Sequence, residues 1–201
     1  MKFNLYKVAK FLLSPLLFVL YKVKVIGLEN VPKSGRVVLC SNHISNMDPI
    51  LLAIAIKRQI FFMAKEELFK NKFLGKLIKI LGGFPIKRGA RDVSAIKTAR
   101  DILRDGKILG IFIEGTRSKT GELLKPKPGA ILLAKDTFSG ILPVCIKSAD
   151  GSKVKILKKT VINIGSLINP QELNVLKNSS KEVRDASRFV MSRIAKLKEN
   201  C

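Results

Sequence analysis

Residues 36–50 read Arg36-Val37-Val38-Leu39-Cys40-Ser41-Asn42-His43-Ile44-Ser45-Asn46-Met47-Asp48-Pro49-Ile50, and this stretch decides the fold class. Four consecutive apolar residues, Val37 to Cys40, suit a strand buried on both faces, since a strand with one wet face would alternate. The run stops abruptly at Ser41-Asn42-His43. Asp48-Pro49 then opens a helix over 50–56, with Asp48 placed to cap it and Pro49 at the first helical position. A buried strand passing through a polar loop into a helix is the repeating unit of an α/β sheet layered by helices. In such folds the chemistry gathers on loops at strand ends.

The same alternation continues on either side. Strands are expected at 23–26, 59–63, 84–86, 108–113, 141–146, 154–157 and 161–164. Helices are expected at 66–81, at 93–103 (where Val93, Ile96, Ala99 and Leu103 keep helical spacing), at 129–138 and at 181–198. No repeat, low-complexity stretch or Gly/Ser/Pro linker divides the 201 residues. Residues 23–201 therefore read as one α/β domain with a mixed, largely parallel sheet.

Residues 1–22 read differently. The first 24 residues carry Lys2, Lys7, Lys10, Lys22 and Lys24 and no acid, around the apolar run 11–20. That run is half of the ~20 residues a bilayer-spanning helix needs. A signal peptide also starts basic and then apolar, but no small-residue cleavage site follows. The expectation is a membrane anchor lying in the interface, its lysines reaching for anionic headgroups. The competing reading is a helix that merely packs on its own domain.

Lys+Arg number 38 against 15 Asp+Glu, a formal charge of +23, yet mean hydropathy is +0.18. A disordered basic tail would be far less apolar. A field this positive attracts an anionic partner: a phospholipid surface, a nucleic acid or an acidic protein. Aromatic residues make up only 6%, with no Trp, so base stacking has little to work with and nucleic acid is not expected. Cys40, Cys145 and Cys201 are odd in number and far apart, which excludes a disulfide framework. With one histidine and no cysteines at ligand spacing, no Cys/His metal centre is expected. Gly-x-Ser-x-Gly and the phosphate-binding Gly-x-x-x-x-Gly-Lys-Ser/Thr loop are both absent, against a serine hydrolase or a P-loop enzyme.

His43 is the only histidine, so an imidazole base must be this one. Asp48 lies five residues on, across a turn, where its carboxylate can fold back onto the ring, hold one tautomer and stabilise the imidazolium. That dyad suits removal of a proton from a hydroxyl at neutral pH. The plainer reading is a hydrogen-bonded histidine beside an aspartate that only caps its helix. Arg88 ends one strand, and Arg117 lies in a Gly-containing loop after another. Two such arginines could clamp an anionic group bidentately, or be ordinary solvated charges. Gly115 permits close backbone approach, and Thr116 offers a hydroxyl.

Taken together these stretches resemble one family. Asn42-His43-Ile44-Ser45-Asn46-Met47-Asp48-Pro49 is similar to the Asn-His-x-Ser-x-x-Asp-Pro block of glycerolipid acyltransferases. Gly82 through Ile86 to Arg88 looks like the second block, Gly-x-x-x-Ile-x-Arg. Phe112-Ile113-Glu114-Gly115-Thr116-Arg117-Ser118 looks like the third, Phe-Pro-Glu-Gly-Thr-Arg-Ser, with Ile113 in place of Pro. Leu142-Pro143-Val144 resembles the fourth, a hydrophobic-Pro-hydrophobic strand. The four occur in family order over about 23–165, the first and third being highly specific in combination.

The resemblance implies direct acyl transfer, with no cofactor and no metal, and is nearest to members that acylate 1-acyl-glycerol-3-phosphate. His43 would deprotonate the sn-2 hydroxyl of lysophosphatidate, and Asp48 would orient and charge-stabilise it. The donor would be acyl carrier protein or coenzyme A carrying the acyl thioester. Arg88, Glu114, Gly115, Thr116 and Arg117 would bind the phosphate-glycerol part, Glu114 by holding an arginine or a glycerol hydroxyl. Lys65 matches a lysine found after the first block and would stabilise oxyanion charge, unless it is a solvated helix-start lysine. The expected place is the cytoplasmic face of the cell membrane. The alternatives are another acceptor (glycerol-3-phosphate, another lysophospholipid or a lyso-aminolipid) or a non-enzymatic basic module binding membrane or nucleic acid.

Overall fold

The computed structural model describes residues 5–87, 92–151, 153–177 and 179–201. Seven strands form one sheet: β1 (Val23–Ile26), β2 (Val37–Ser41), β3 (Ile60–Lys65), β4 (Gly83–Ile86), β5 (Ile108–Phe112), β6 (Gly140–Ser148) and β7 (Thr160–Ile164). Their spatial order is β1-β7-β6-β2-β5-β3-β4. All pairings are parallel except β6 with β7. The expected mixed, largely parallel sheet is therefore present.

Both faces of the sheet are covered, which is why its central strands read as unbroken apolar runs. In β2, Val38 and Cys40 face a core built with α4 (Val93–Arg104), α5 (Gly129–Asp136) and α6 (Ser180–Glu199). Val37 and Leu39 face the other core, shared with α2 (Asp48–Ala55) and, through Leu17, Phe18 and Leu20, with α1 (Leu5–Leu20).

Three sequence expectations about elements need correction. The helix expected over 66–81 is split into a 3-10 turn, Glu66–Phe69, and α3, Lys72–Ile80. Asn71 separates them, because its side chain accepts from the Phe73 and Leu74 amides and so starts a new helix. The strand expected at 154–157 is a loop in which Ile156 and Leu157 are exposed. Leu157 takes a left-handed backbone (φ 63), which interrupts an extended run, and its amide donates to the Leu20 carbonyl at the end of α1 (2.6 Å) instead of to a strand. The 50–56 helix begins earlier, at Asp48, with Met47 in the cap position.

Helix α1 packs one flank along α2, where the Tyr6 hydroxyl donates to the Ala53 carbonyl at 3.3 Å and Lys10 donates to those of Ala53 (2.8 Å) and Ile56. Lys10 thus satisfies carbonyls at the end of α2 rather than reaching outward. The opposite flank carries exposed Phe11, Leu12, Leu16 and Val19. No described helix is long and apolar enough to cross a membrane.

Candidate active site

Because β2, β3, β4 and β5 run parallel, their C-terminal ends share one edge of the sheet. From that edge emerge the His43–Asp48 loop after β2, Lys65 ending β3, and the 113–118 loop after β5. The segment after β4 leads to Arg88, which lies outside the described residues. Asp92 holds the described ends of that segment, accepting from the Lys87 amide at 2.8 Å and from Ala95 at the start of α4. These hydrogen bonds, the one from Lys87 first, hold its carboxyl down at about 2.

The chain leaves the sheet after Ser41 for a local reason. Buried Asn42 accepts from the Ile146 amide at 2.8 Å and donates to its carbonyl at 2.9 Å, so a side chain replaces the next rung of the β2–β6 ladder. The backbone is released at His43. Asp48 is fully buried, and its Oδ2 accepts from the amides of Ile44 (2.7 Å) and Ser45 (2.8 Å) and lies 2.7 Å from His43 Nδ1. The aspartate is thus turned back onto the loop that carries the histidine instead of capping α2. Its Oδ1 has no hydrogen-bond partner among the described residues. The His43 side chain is 14% exposed, and with Nδ1 engaged, Nε2 is the nitrogen left to take a proton.

The 113–118 loop is latched to the same place: the Ser118 amide donates to the His43 carbonyl at 2.8 Å, and Ser118 Oγ accepts from Gly121 at 3.0 Å. Gly115 closes the turn with φ +70, donating to Phe112 at 2.9 Å; a side chain would be strained there. Thr116 and Arg117 are exposed on this loop beside His43. Glu114 is turned inward. It is 2% exposed, and its Oε1 accepts from the Leu124 amide at 3.3 Å. Burial pushes this carboxyl up to about 7; Asp48 adds to the rise, while the Leu124 and His43 amides and Lys198 oppose it. Lys65 is exposed at the end of β3, paired with Ile86. Among the described residues no cluster of His, Cys, Asp or Glu could hold a metal ion.

Asn42 and Ser118 were visible in the sequence only as motif letters. Their partners, Ile146 and the His43 carbonyl, come from distant stretches of chain. A fixed imidazole–carboxylate pair beside an exposed glycine-arginine loop can take a proton from a bound hydroxyl and hold an anion next to it.

An acyltransferase family model matches residues 22–147. A 1-acyl-sn-glycerol-3-phosphate acyltransferase of Borreliella burgdorferi is 30% identical over 182 residues, covering 87% of this chain and 71% of that protein. One from Bacillus subtilis is 36% identical over 138 residues, 68% of each chain. The crystal structure of the 1-acyl-sn-glycerophosphate (LPA) acyltransferase PlsC from Thermotoga maritima superposes with a TM-score of 0.74 at 26% identity. It covers 100% of this chain and 83% of that one.

Proposed function

The chain belongs to the acyltransferase family, and from that premise we propose that it acylates the sn-2 hydroxyl of 1-acyl-glycerol-3-phosphate, giving phosphatidate, with an acyl thioester of acyl carrier protein or coenzyme A as donor. The observation that carries this reading is the 2.7 Å contact between His43 Nδ1 and buried Asp48, set beside the exposed Gly115–Arg117 turn. Asp48 holds the Nδ1 proton and leaves the Nε2 lone pair for the acceptor hydroxyl. As the proton moves to Nε2, the oxygen attacks the thioester carbonyl carbon. The C–S bond then breaks, and the imidazolium returns the proton to the departing thiolate. Arg117 and Arg88 bind the acceptor phosphate, Thr116 and the Gly115 backbone the glycerol part, and Lys65 the carbonyl oxygen as it becomes charged. Glu114 shapes this loop from within. The reaction takes place at the cytoplasmic face of the membrane, with the exposed apolar flank of α1 seated among the lipids.

The test is mass spectrometry of products from purified protein given acyl-coenzyme A and acyl carrier protein donors with a panel of acceptors. Phosphatidate formed from lysophosphatidate is expected. Acylation of glycerol-3-phosphate or another lysolipid in its place would overturn the acceptor. His43→Ala and Asp48→Asn should each lower turnover by about 10²–10⁴-fold. Undiminished turnover in a folded His43→Ala protein would overturn the mechanism.

A further inference from the structure

A single hydrogen bond at Nδ1 directs one ring atom of His43 but leaves the imidazole free to pivot about that contact. What stops the pivot is visible in the side chains stacked behind it. The Phe112 ring lies against the imidazole, with centroids 3.8 Å apart and planes 12° from parallel. Behind Phe112 lies Phe62, at 5.7 Å and 15°. Behind Phe62 is Gly110, its register partner across β3 and β5. A Cβ on Gly110 would sit 2.1 Å from the Phe62 ring. A glycine in mid-strand gives up packing and marks a close approach; here it makes the space in which Phe62 lies flat.

We propose that Gly110, Phe62 and Phe112 form a positioning column that sets the plane of the His43 imidazole, so that Asp48 and the column together aim Nε2 at the acceptor hydroxyl. Neither Phe62 nor Gly110 touches the reacting atoms; they act through Phe112. The column starts in the buried sheet, where Phe62 is 7% exposed, and ends at the site. It therefore carries the rigidity of the core to a loop residue. The face of Phe112 also favours a cationic ring, and the imidazole becomes one when it takes the proton.

This rests on His43 being the base, and the chain offers a probe that separates the two ideas. With one histidine in the sequence, ¹³C-histidine-labelled, tag-free full-length protein gives one imidazole signal. Stacking on Phe112 should shift its ring protons upfield. Phe112→Leu should abolish that shift and lower kcat about tenfold, with both KM values within about twofold. Phe112→Tyr, which keeps the ring, should restore both. Gly110→Ala should move the signal and kcat in the same direction, although it contacts neither His43 nor substrate. In a Phe62→Leu background Gly110→Ala should cost nothing further. Unchanged kcat in folded Phe112→Leu, or a loss expressed in KM, would overturn the column. If Gly110→Ala does not fold, the Leu and Tyr variants at 112 still decide. Turnover surviving in His43→Ala would instead defeat the general-base reading, while the ring-proton shift would still report whether the column holds the imidazole.

Discussion

At Glu114 a carboxyl is buried next to Asp48, with no hydrogen-bond partner for Oε2 among the described residues and its titration pushed from the usual 4.5 up to about 7. A carboxyl raised in the folded state keeps its proton natively over a range where the unfolded chain has lost it. The native chain then binds more protons than the unfolded one, and stability falls as pH rises across that range. The Glu114 contribution should therefore be full below about 4.5 and decline toward about 7. Glu114→Gln keeps the shape without the charge. Its melting temperature relative to wild type should climb between those pH values and level off above them, as read by thermal melts across a pH series. A constant difference would show that Glu114 does not titrate in this range. The sequence presents Glu114 as a letter in an exposed-looking, glycine-containing loop. Its inward turn depends on Leu124 and on the His43 amide, which no local pattern reveals.

Helix α1 shows how an element can be half legible. Its apolar run was plain in the sequence, and so was its failure to reach spanning length. Which residues pack and which stay bare was decided by α2: Tyr6 and Lys10 lie against its carbonyls, whereas Phe11 is 79% and Leu16 56% exposed. Removing the whole segment would also strip the α2 core of Leu17, Phe18 and Leu20, so the sharper test alters only the bare flank. Phe11→Ser and Leu16→Ser should each change folding stability by no more than about 0.5 kcal/mol, as exposed substitutions usually do, and the pair by about the sum. The same pair should sharply reduce flotation with anionic vesicles. Unreduced flotation would remove α1 from the proposed membrane contact. The split between 66–69 and α3 is the opposite case, since Asn71 as a helix start is a local signal that the lysine-rich apolar pattern around it obscured.

Over the whole molecule, the +23 charge exceeds anything the site can use. Lysines near an anionic surface contribute about 1 kcal/mol each, screened over roughly 8 Å at physiological salt. Burial of the α1 flank is not screened. Vesicle binding should therefore fall along a salt series without vanishing on phosphatidate- or phosphatidylglycerol-rich vesicles, and be weak on neutral ones. Equal binding to neutral and anionic vesicles at low salt would show that the charge serves another partner. The positive field, unlike the sheet order, is a property of composition alone and needs no fold to be read.

The elements and the chemistry on offer can be read from the chain without its fold: the doubly buried β2, the loop from Ser41 to Asp48, the lone imidazole and the order of the four motif blocks. These are local quantities, set by apolar runs, breakers and spacing within a few residues. Tertiary structure alone decided that Asn42 takes the backbone of Ile146, that Ser118 latches onto His43, that Asp48 collects three donors, and that Gly110 and Phe62 stand behind Phe112 and the imidazole. Asn42 and Ile146 are 104 residues apart in the chain. Contacts of that kind depend on which strands become neighbours in the sheet, and strand order is set by the packing of both faces at once.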